Sequence, residues 1–373
     1  MEEGVYGGLY QIEGAAKRPA PEKVYGYYAT TVGGLEEVAL KDLKVRLKAV
    51  GRVRVERDGR HGRVFFRYEQ SPRRLLALRS VENLFALLAE IRRVTVGQPG
   101  LLRIAQEVAR VDLAPAVALH DALYGEKPDA RFSLTCTAGR GHRFSASELH
   151  QVVQTVLRMK YGLQPGEGGY NLHLRVRGKR ALFGLQLSRR RMRDRDYRRA
   201  NVPGGLAGSV AYCMALLGRV EGRDVCLDPM CGSGTTLIEA GQAFGPKALV
   251  GGDVQPEALD AARENARAAG QRVGLVRWDA GRLPLPNASV DKLLCNLPCV
   301  KRMAHVRPPE RKDILLKEFA RVLCPGRTAV LLTEDKEAMQ KALEASDVPF
   351  GCLRRLPVHL RGMTASIYLL KKT

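Results

Sequence analysis

The chain is predicted to end in an open, doubly wound α/β sheet and to begin with two smaller α+β modules. Three observations predict this. From residue 223 onward, continuous apolar runs alternate with amphipathic ones, the pattern of parallel strands covered on both faces by helices. Between 25 and 188 the text instead alternates residue by residue, in hairpin pairs interleaved with single helices. The first apolar run of the C-terminal part ends in "DPMCGSGTT" (228–236), a glycine-rich turn at a strand end.

Residues 1–24 carry glycine and proline without a period and are expected to form a flexible arm. A strand follows at 23–32. A helix is expected over 34–47, where Leu35, Val38, Leu40, Leu43, Val45 and Leu47 fall at roughly helical spacing. Residues 51–68 alternate around Asp58-Gly59 and read as a hairpin. Ser71-Pro72 reads as the cap and first position of a helix running toward 91. These elements make one module, 25–95.

The second module, 96–188, opens with a helix at 100–111 and a strand at 130–140. Ser145 and Glu148 form a capping box that starts a helix to 162. A hairpin at 170–188 alternates Leu172, Leu174 and Val176 against His173, Arg175 and Arg177. Residues 189–222 are a basic linker and helix. The strand–helix alternation then fills 223–373 and closes with two strands lacking a helix between them, a terminal antiparallel pair.

Lys and Arg number 61 against 39 Asp and Glu, a formal net charge of +22, with a pI of 9.9. A surplus of that size fits a polyanionic partner. It is concentrated at Arg189, Arg190, Arg191, Arg193, Arg195, Arg198 and Arg199, opposed by only two aspartates. Such runs are often solvated, self-paired faces, but arginine forks suit phosphate, and RNA contact is expected here. No apolar run approaches the ~20 residues of a membrane helix, and the start lacks a secretory signal pattern. The 8 cysteines form no C-x-x-C pair, so neither a zinc site nor a thioredoxin motif is indicated. A reduced cytoplasmic or nuclear protein is expected.

The glycine turn narrows the ligand. The third glycine of a dinucleotide fingerprint is replaced by Leu237, and no Gly-Lys-Ser/Thr follows. Asp228, Asp253 and Asp279 stand at the ends of three successive predicted strands. Asp253 suits ribose hydroxyls, Asp279 an adenine amine and Asp228 a cationic group. An amine, a ribose and an adenine without phosphate describe S-adenosylmethionine. A pyrophosphate facing Asp228 is disfavoured electrostatically. Met230, Thr235, Val254 and Ala280 flank these acids and Gly232 and Gly234, and complete the candidate cofactor set.

The fourth predicted strand ends in Asn296-Leu297-Pro298-Cys299, the candidate catalytic turn. It resembles the Asn/Asp-x-Pro-aromatic motif of methyltransferases acting on exocyclic base amines. A conjugated amine is a poor nucleophile. Accepting its N–H bonds with the Asn296 side chain and the Leu297 carbonyl localises its lone pair, and Pro298 stiffens the turn that aligns it.

Together, "YYATTVGGLEE" (27–37), "FSLTCTAGRGHRFSASELHQVV", "ALFGLQLS" and "LDPMCGSGTTLIEA" resemble the THUMP-domain RNA guanine-N2 methyltransferases over roughly residues 25–373. The resemblance implies a Rossmann-like catalytic domain at 223–373, a ferredoxin-like subdomain at 25–95 and an RNA-binding THUMP domain at 96–188. It also implies an RNA substrate, commonly the tRNA acceptor stem, with N2-methylguanosine as product. For a eukaryotic member it further implies a small zinc-binding activator subunit. The chain departs from the family at Cys299 and Val300, where Phe or Tyr then Gly are usual, and at Leu206-Ala207, where an arginine often follows the leucine. Those departures leave open an alternative, an RNA-binding protein whose cofactor domain is weak or silent.

Overall fold

The computed structural model describes residues 26–48, 50–125, 128–298, 312–345, 347–360 and 362–373. The expected arm at 1–24, and Cys299 and Val300, lie outside the described residues.

The N-terminal half is built on one eight-stranded sheet. Its strands are β1 (Tyr27–Val32), β2 (Gly51–Arg57), β3 (His61–Arg67), β4 (Asn83–Arg92), β5 (Arg131–Ala138), β6 (Gln164–Pro165), β7 (Tyr170–Arg177) and β8 (Arg180–Gln186). Their order is β2-β3-β1-β4-β8-β7-β5-β6. Antiparallel pairing of β4 with β8, from Phe85↔Gln186 to Arg92↔Arg180, joins the strands of 25–95 to those of 96–188. Helices α1 (Glu36–Leu47), α2 (Gln98–Ala109), α3 (Ala114–Tyr124) and α4 (Ala146–Tyr161) cover one face. They contribute Leu43, Ile104, Leu123 and Val153 to its core. The capping box that opens α4 is formed: Glu148 N–H donates to Ser145 Oγ at 3.1 Å and Ser145 N–H to Glu148 Oε2 at 2.7 Å.

One expected helix is a strand. Ser71-Pro72 starts only a short 3-10 turn, Pro72–Ala77, and "NLFALLAEIR" forms β4 near the middle of the sheet. A strand packed on both faces needs no polar alternation, so its apolar run mimics a buried helix.

The C-terminal half is a seven-stranded sheet in the order β11-β10-β9-β12-β13-β15-β14. It comprises β9 (Val225–Asp228), β10 (Ala248–Asp253), β11 (Gly274–Arg277), β12 (Val290–Asn296), β13 (Leu323–Thr333), β14 (Phe350–Leu360) and β15 (Met363–Lys372). β9 to β13 are parallel, and β14 and β15 form an antiparallel edge pair. On one face Cys226, Leu294 and Val330 pack with α5 (Gly208–Leu217), α6 (Thr235–Phe244) and α7 (Pro256–Ala268). On the other, Leu227, Leu293, Cys295 and Leu331 pack with α8 (Lys312–Val322) and α9 (Lys336–Glu344). Strand order reverses between β9 and β12, where an open α/β sheet holds its ligands.

Two buried carboxylates tie the halves together. Asp42 on α1 accepts from Tyr212 Oη of α5 at 2.5 Å, Arg46 Nε at 2.8 Å and Ser80 Oγ at 2.7 Å. Glu239 on α6 accepts from Arg79 Nε at 2.9 Å, Arg195 Nε at 2.8 Å and Tyr197 Oη at 2.9 Å. Beside them Val32, Leu35 and Val38 share a core with α5 and β14.

Candidate cofactor and amine-presenting site

The glycine turn links β9 to α6. Gly232 and Gly234 take φ of +50° and +77°, a left-handed conformation that favours glycine. Gly234 caps α6, and Cys231 N–H is fixed on Gly252 O at 2.9 Å. Asp253, at the end of β10, shapes the turn from beside it. Its Oδ2 accepts Gly232 N–H at 3.0 Å and its Oδ1 accepts Gln255 N–H at 3.1 Å. The next strand closes the far side, with Trp278 Nε1 donating to Pro229 O at 2.9 Å. Its indole lies so close to β10 that a Cβ at Gly252 would stand 2.1 Å from Cε2.

Asp228 is the electrostatic anomaly. It is buried at the end of β9, with Oδ1 accepting Met230 N–H at 3.2 Å. Burial pushes its carboxyl up to about 7, against the opposing hydrogen bonds from Met230, Thr236 and Cys295, and Asp253 raises it further. Among the described residues no cation is recorded against this group, and a ligand with a positive charge would supply one. The turn, the indole wall and this carboxylate fit an adenosyl group carrying a sulfonium and an ammonium.

The other expected contacts fall around this centre. Met230 and Thr235 lie in the turn and the first turn of α6, and Val254 and Asp279 are exposed beyond the ends of β10 and β11. Asp279 stands two residues beyond β11, where its Oδ1 accepts Gly281 N–H at 2.8 Å, and Ala280 is buried beside it.

Asn296 ends β12, which pairs directly with β9 through Leu293↔Leu227. Leu297 is anchored by N–H donation to Leu332 O at 2.9 Å, and Pro298 is half-buried. Asn296 Nδ2 donates to Gly204 O at 3.3 Å.

The arginine run does not act as one surface. Arg195 is committed to Glu239, and Arg193 pairs with Glu82 at 2.9 Å. Arg198 is half-buried and donates to Leu206 O at 3.1 Å and Asn201 Oδ1 at 2.8 Å. Arg189, Arg190, Arg191 and Arg199 remain exposed, with Arg189 over the Tyr124 ring and Arg190 paired with Asp196. Of the expected RNA contacts, Arg195 is turned toward a buried carboxylate, while Arg193 and Arg198 are part-exposed and also bonded within the protein. Arg195 satisfies the buried Glu239 of α6, Arg193 reaches the buried Glu82 before β4, and Arg198 bonds within its own linker.

A second basic surface went unread in the sequence. On the sheet face opposite the helices, a cleft is lined by Arg54, Arg57, Arg63, Arg175, Arg177 and Arg180 against Glu56, Asp58 and Glu90. Asp58 alone receives Arg63 at 3.2 Å, Arg175 at 2.5 Å and Arg177 at 3.2 Å. The readable signal was the strict alternation of Arg175 and Arg177 with apolar neighbours on β7. Among the described residues no group of three or more His, Cys, Asp or Glu side chains could hold a metal, and no helix is long and apolar enough to cross a membrane.

Residues 195–362 match the UPF0020 family, described as RMKL-like, methyltransferase domain. The tRNA (guanine(6)-N2)-methyltransferase of Thermus thermophilus is 27% identical over 355 residues, covering 92% of this chain and 98% of that protein. The U6 snRNA (guanine-N(2))-methyltransferase THUMPD2 of Bos taurus is 32% identical over 226 residues, covering 59% of this chain and 44% of that protein. The chain spans about half the length of the mammalian relatives it matches. The crystal structure of TrmN from Thermus thermophilus superposes with a TM-score of 0.76 at 26% identity, covering 93% and 99% of the two chains.

Proposed function

We propose that the chain, which is similar to THUMP-containing RNA guanine-N2 methyltransferases, methylates the exocyclic N2 of a guanosine in tRNA, using S-adenosylmethionine. The observation that carries this reading is the pairing of β9 with β12. It sets the amine-presenting end of one strand beside the cation-seeking Asp228 of the other. We take tRNA over small nuclear RNA because the likeness to the Thermus enzyme runs through nearly the whole of both chains. Position 6 of the acceptor stem is the corresponding guanosine.

The cofactor supplies an electrophilic methyl group on a positively charged sulfur. Asp228 and Asp253 hold it, Gly232 and Gly234 let the backbone approach, and Trp278 walls the site. Asn296 Oδ1 and the Leu297 carbonyl accept the two N–H bonds of the guanine amine and turn its lone pair toward the methyl carbon. With the cofactor held by Asp228, Asp253 and the glycine turn, its methyl group would lie in line with that lone pair, and the amine would give up one proton to water. Alignment is the main contribution of the protein, since no covalent intermediate is required. A flipped-out base is needed for the amine to reach the strand ends. The exposed linker arginines and the sheet cleft offer phosphate contacts along the way.

The test is substitution of Asn296. Asn296→Ala should lower kcat by about 10²-fold or more with cofactor affinity unchanged. Retained kcat would remove the amine-presenting role from this turn.

A further inference from the structure

The segment between the arginine run and α5, residues 199–206, lies between both parts of the site. At its start, the buried side chain of Asn265 on α7 uses its whole carboxamide on two backbones. Its Oδ1 accepts Arg199 N–H at 2.8 Å and Ala200 N–H at 3.0 Å. Its Nδ2 donates to Ala200 O at 2.9 Å and to Ser233 O, inside the glycine turn, at 3.0 Å. Farther along, a Cβ at Gly232 would meet Val202 Cγ2 at 3.3 Å. At its end, Gly204 O accepts from Asn296 Nδ2. One loop is therefore fixed to the cofactor turn at its root and to the amine-presenting side chain at its tip.

We propose that this loop is the positioning element of the reaction: Asn265 fixes it to the glycine turn, and the Gly204 carbonyl orients the Asn296 carboxamide. A carboxamide can rotate its oxygen and nitrogen into each other's places, and only the oxygen can accept from a guanine amine. By engaging Nδ2, Gly204 O leaves Oδ1 facing the substrate. The same contact makes asparagine the required residue here, because a carboxylate at 296 would set an anionic oxygen against the Gly204 carbonyl. Asn265 is a positioning residue that acts through the loop and touches neither reacting atom.

The inference rests on the methyl-transfer reading for its kinetic arm and is independent of it in its structural arm. In the kinetic arm, kcat at saturating cofactor and RNA is measured from pH 5.5 to 8 for wild type, Asn296→Asp, Asn265→Ala and the double variant. Asn296→Asp is expected to lose about tenfold or more at pH 8. It should regain part of that loss at pH 5.5, where a protonated carboxyl again donates to Gly204 O. Asn265→Ala should lower kcat without any acid-side gain, and the double variant should lose the gain seen in Asn296→Asp. Full activity of Asn296→Asp at pH 8, or an acid-side gain that persists in the double variant, overturns the proposal.

In the structural arm, hydrogen exchange of the Arg199 and Ala200 amides is followed in the same proteins. Exchange should speed up in Asn265→Ala while the α6 amides stay protected. Asn265→Asp, which keeps both accepted bonds, should fall between. Unchanged exchange at 199–200 overturns the proposal even if no methyl transfer is found. Absence of transfer with the exchange pattern as expected overturns only the functional reading.

Discussion

In the proposed cofactor site, Asp228 is a buried carboxyl that would serve the ligand more than the fold. Burial pushes its carboxyl up to about 7 in the folded chain, against about 3.9 in an unfolded one. A raised folded value means that its stabilising contribution is full below pH 4 and is lost as the pH rises toward 7. Above pH 7 the cofactor-free protein therefore carries a buried charge that desolvation penalises. Asp228→Asn should raise the melting temperature of the cofactor-free protein at pH 8, leave it nearly unchanged at pH 4.5, and weaken S-adenosylmethionine binding. Calorimetry at the two pH values checks the first part and titration calorimetry the last. For the native protein, cofactor affinity should fall by up to about tenfold per pH unit below 7, because binding a cation requires the ionised form. A flat affinity from pH 5.5 to 8 would take Asp228 out of the cofactor site.

Among elements, α6 joins the two jobs of the chain. Its N-terminus is the glycine turn and its middle carries Glu239, the acceptor for Arg79 and Arg195. Removing the carboxylate leaves two guanidinium groups facing a buried site. Glu239→Ala is expected to destabilise the protein by on the order of 3 kcal/mol, measured by denaturant unfolding. The cap of α4 gives a contrasting case: Ser145→Ala should cost about 1 kcal/mol and leave cofactor binding untouched. The sequence made some of this legible. Ser145 and Glu148 announce their helix because a capping box is a local device, and the strand-end acids of the catalytic half follow from a strong strand–helix alternation. "LFALLAEI" misled because burial on both faces erases the period. Arg195 and the loop at 199–206 were opaque because their partners, Glu239, Asn265 and Asn296, lie from 44 to 92 residues farther along the chain. Nothing local marks a guanidinium as internal.

At the scale of the whole molecule, charge and architecture point the same way. Among the described residues, part of the net charge of +22 is exposed on the linker arginines and at the cleft on the eight-stranded sheet. Arg177 and Arg180 at that cleft are each well exposed. Arg177→Ala and Arg180→Ala should each weaken RNA binding across sequences and reduce the salt slope of log Kd by about one, with cofactor affinity unchanged. An unchanged slope would move RNA binding off this face. Asp42 and Glu239 then matter as the links that hold the basic half against the half that carries the glycine turn.

The most direct measurement is transfer of labelled methyl groups from S-adenosylmethionine to unmodified tRNA, followed by nucleoside analysis of the product. The account predicts label in N2-methylguanosine, lost on Asn296→Ala. Label in any other nucleoside, or no transfer while cofactor and tRNA both bind, would contradict it.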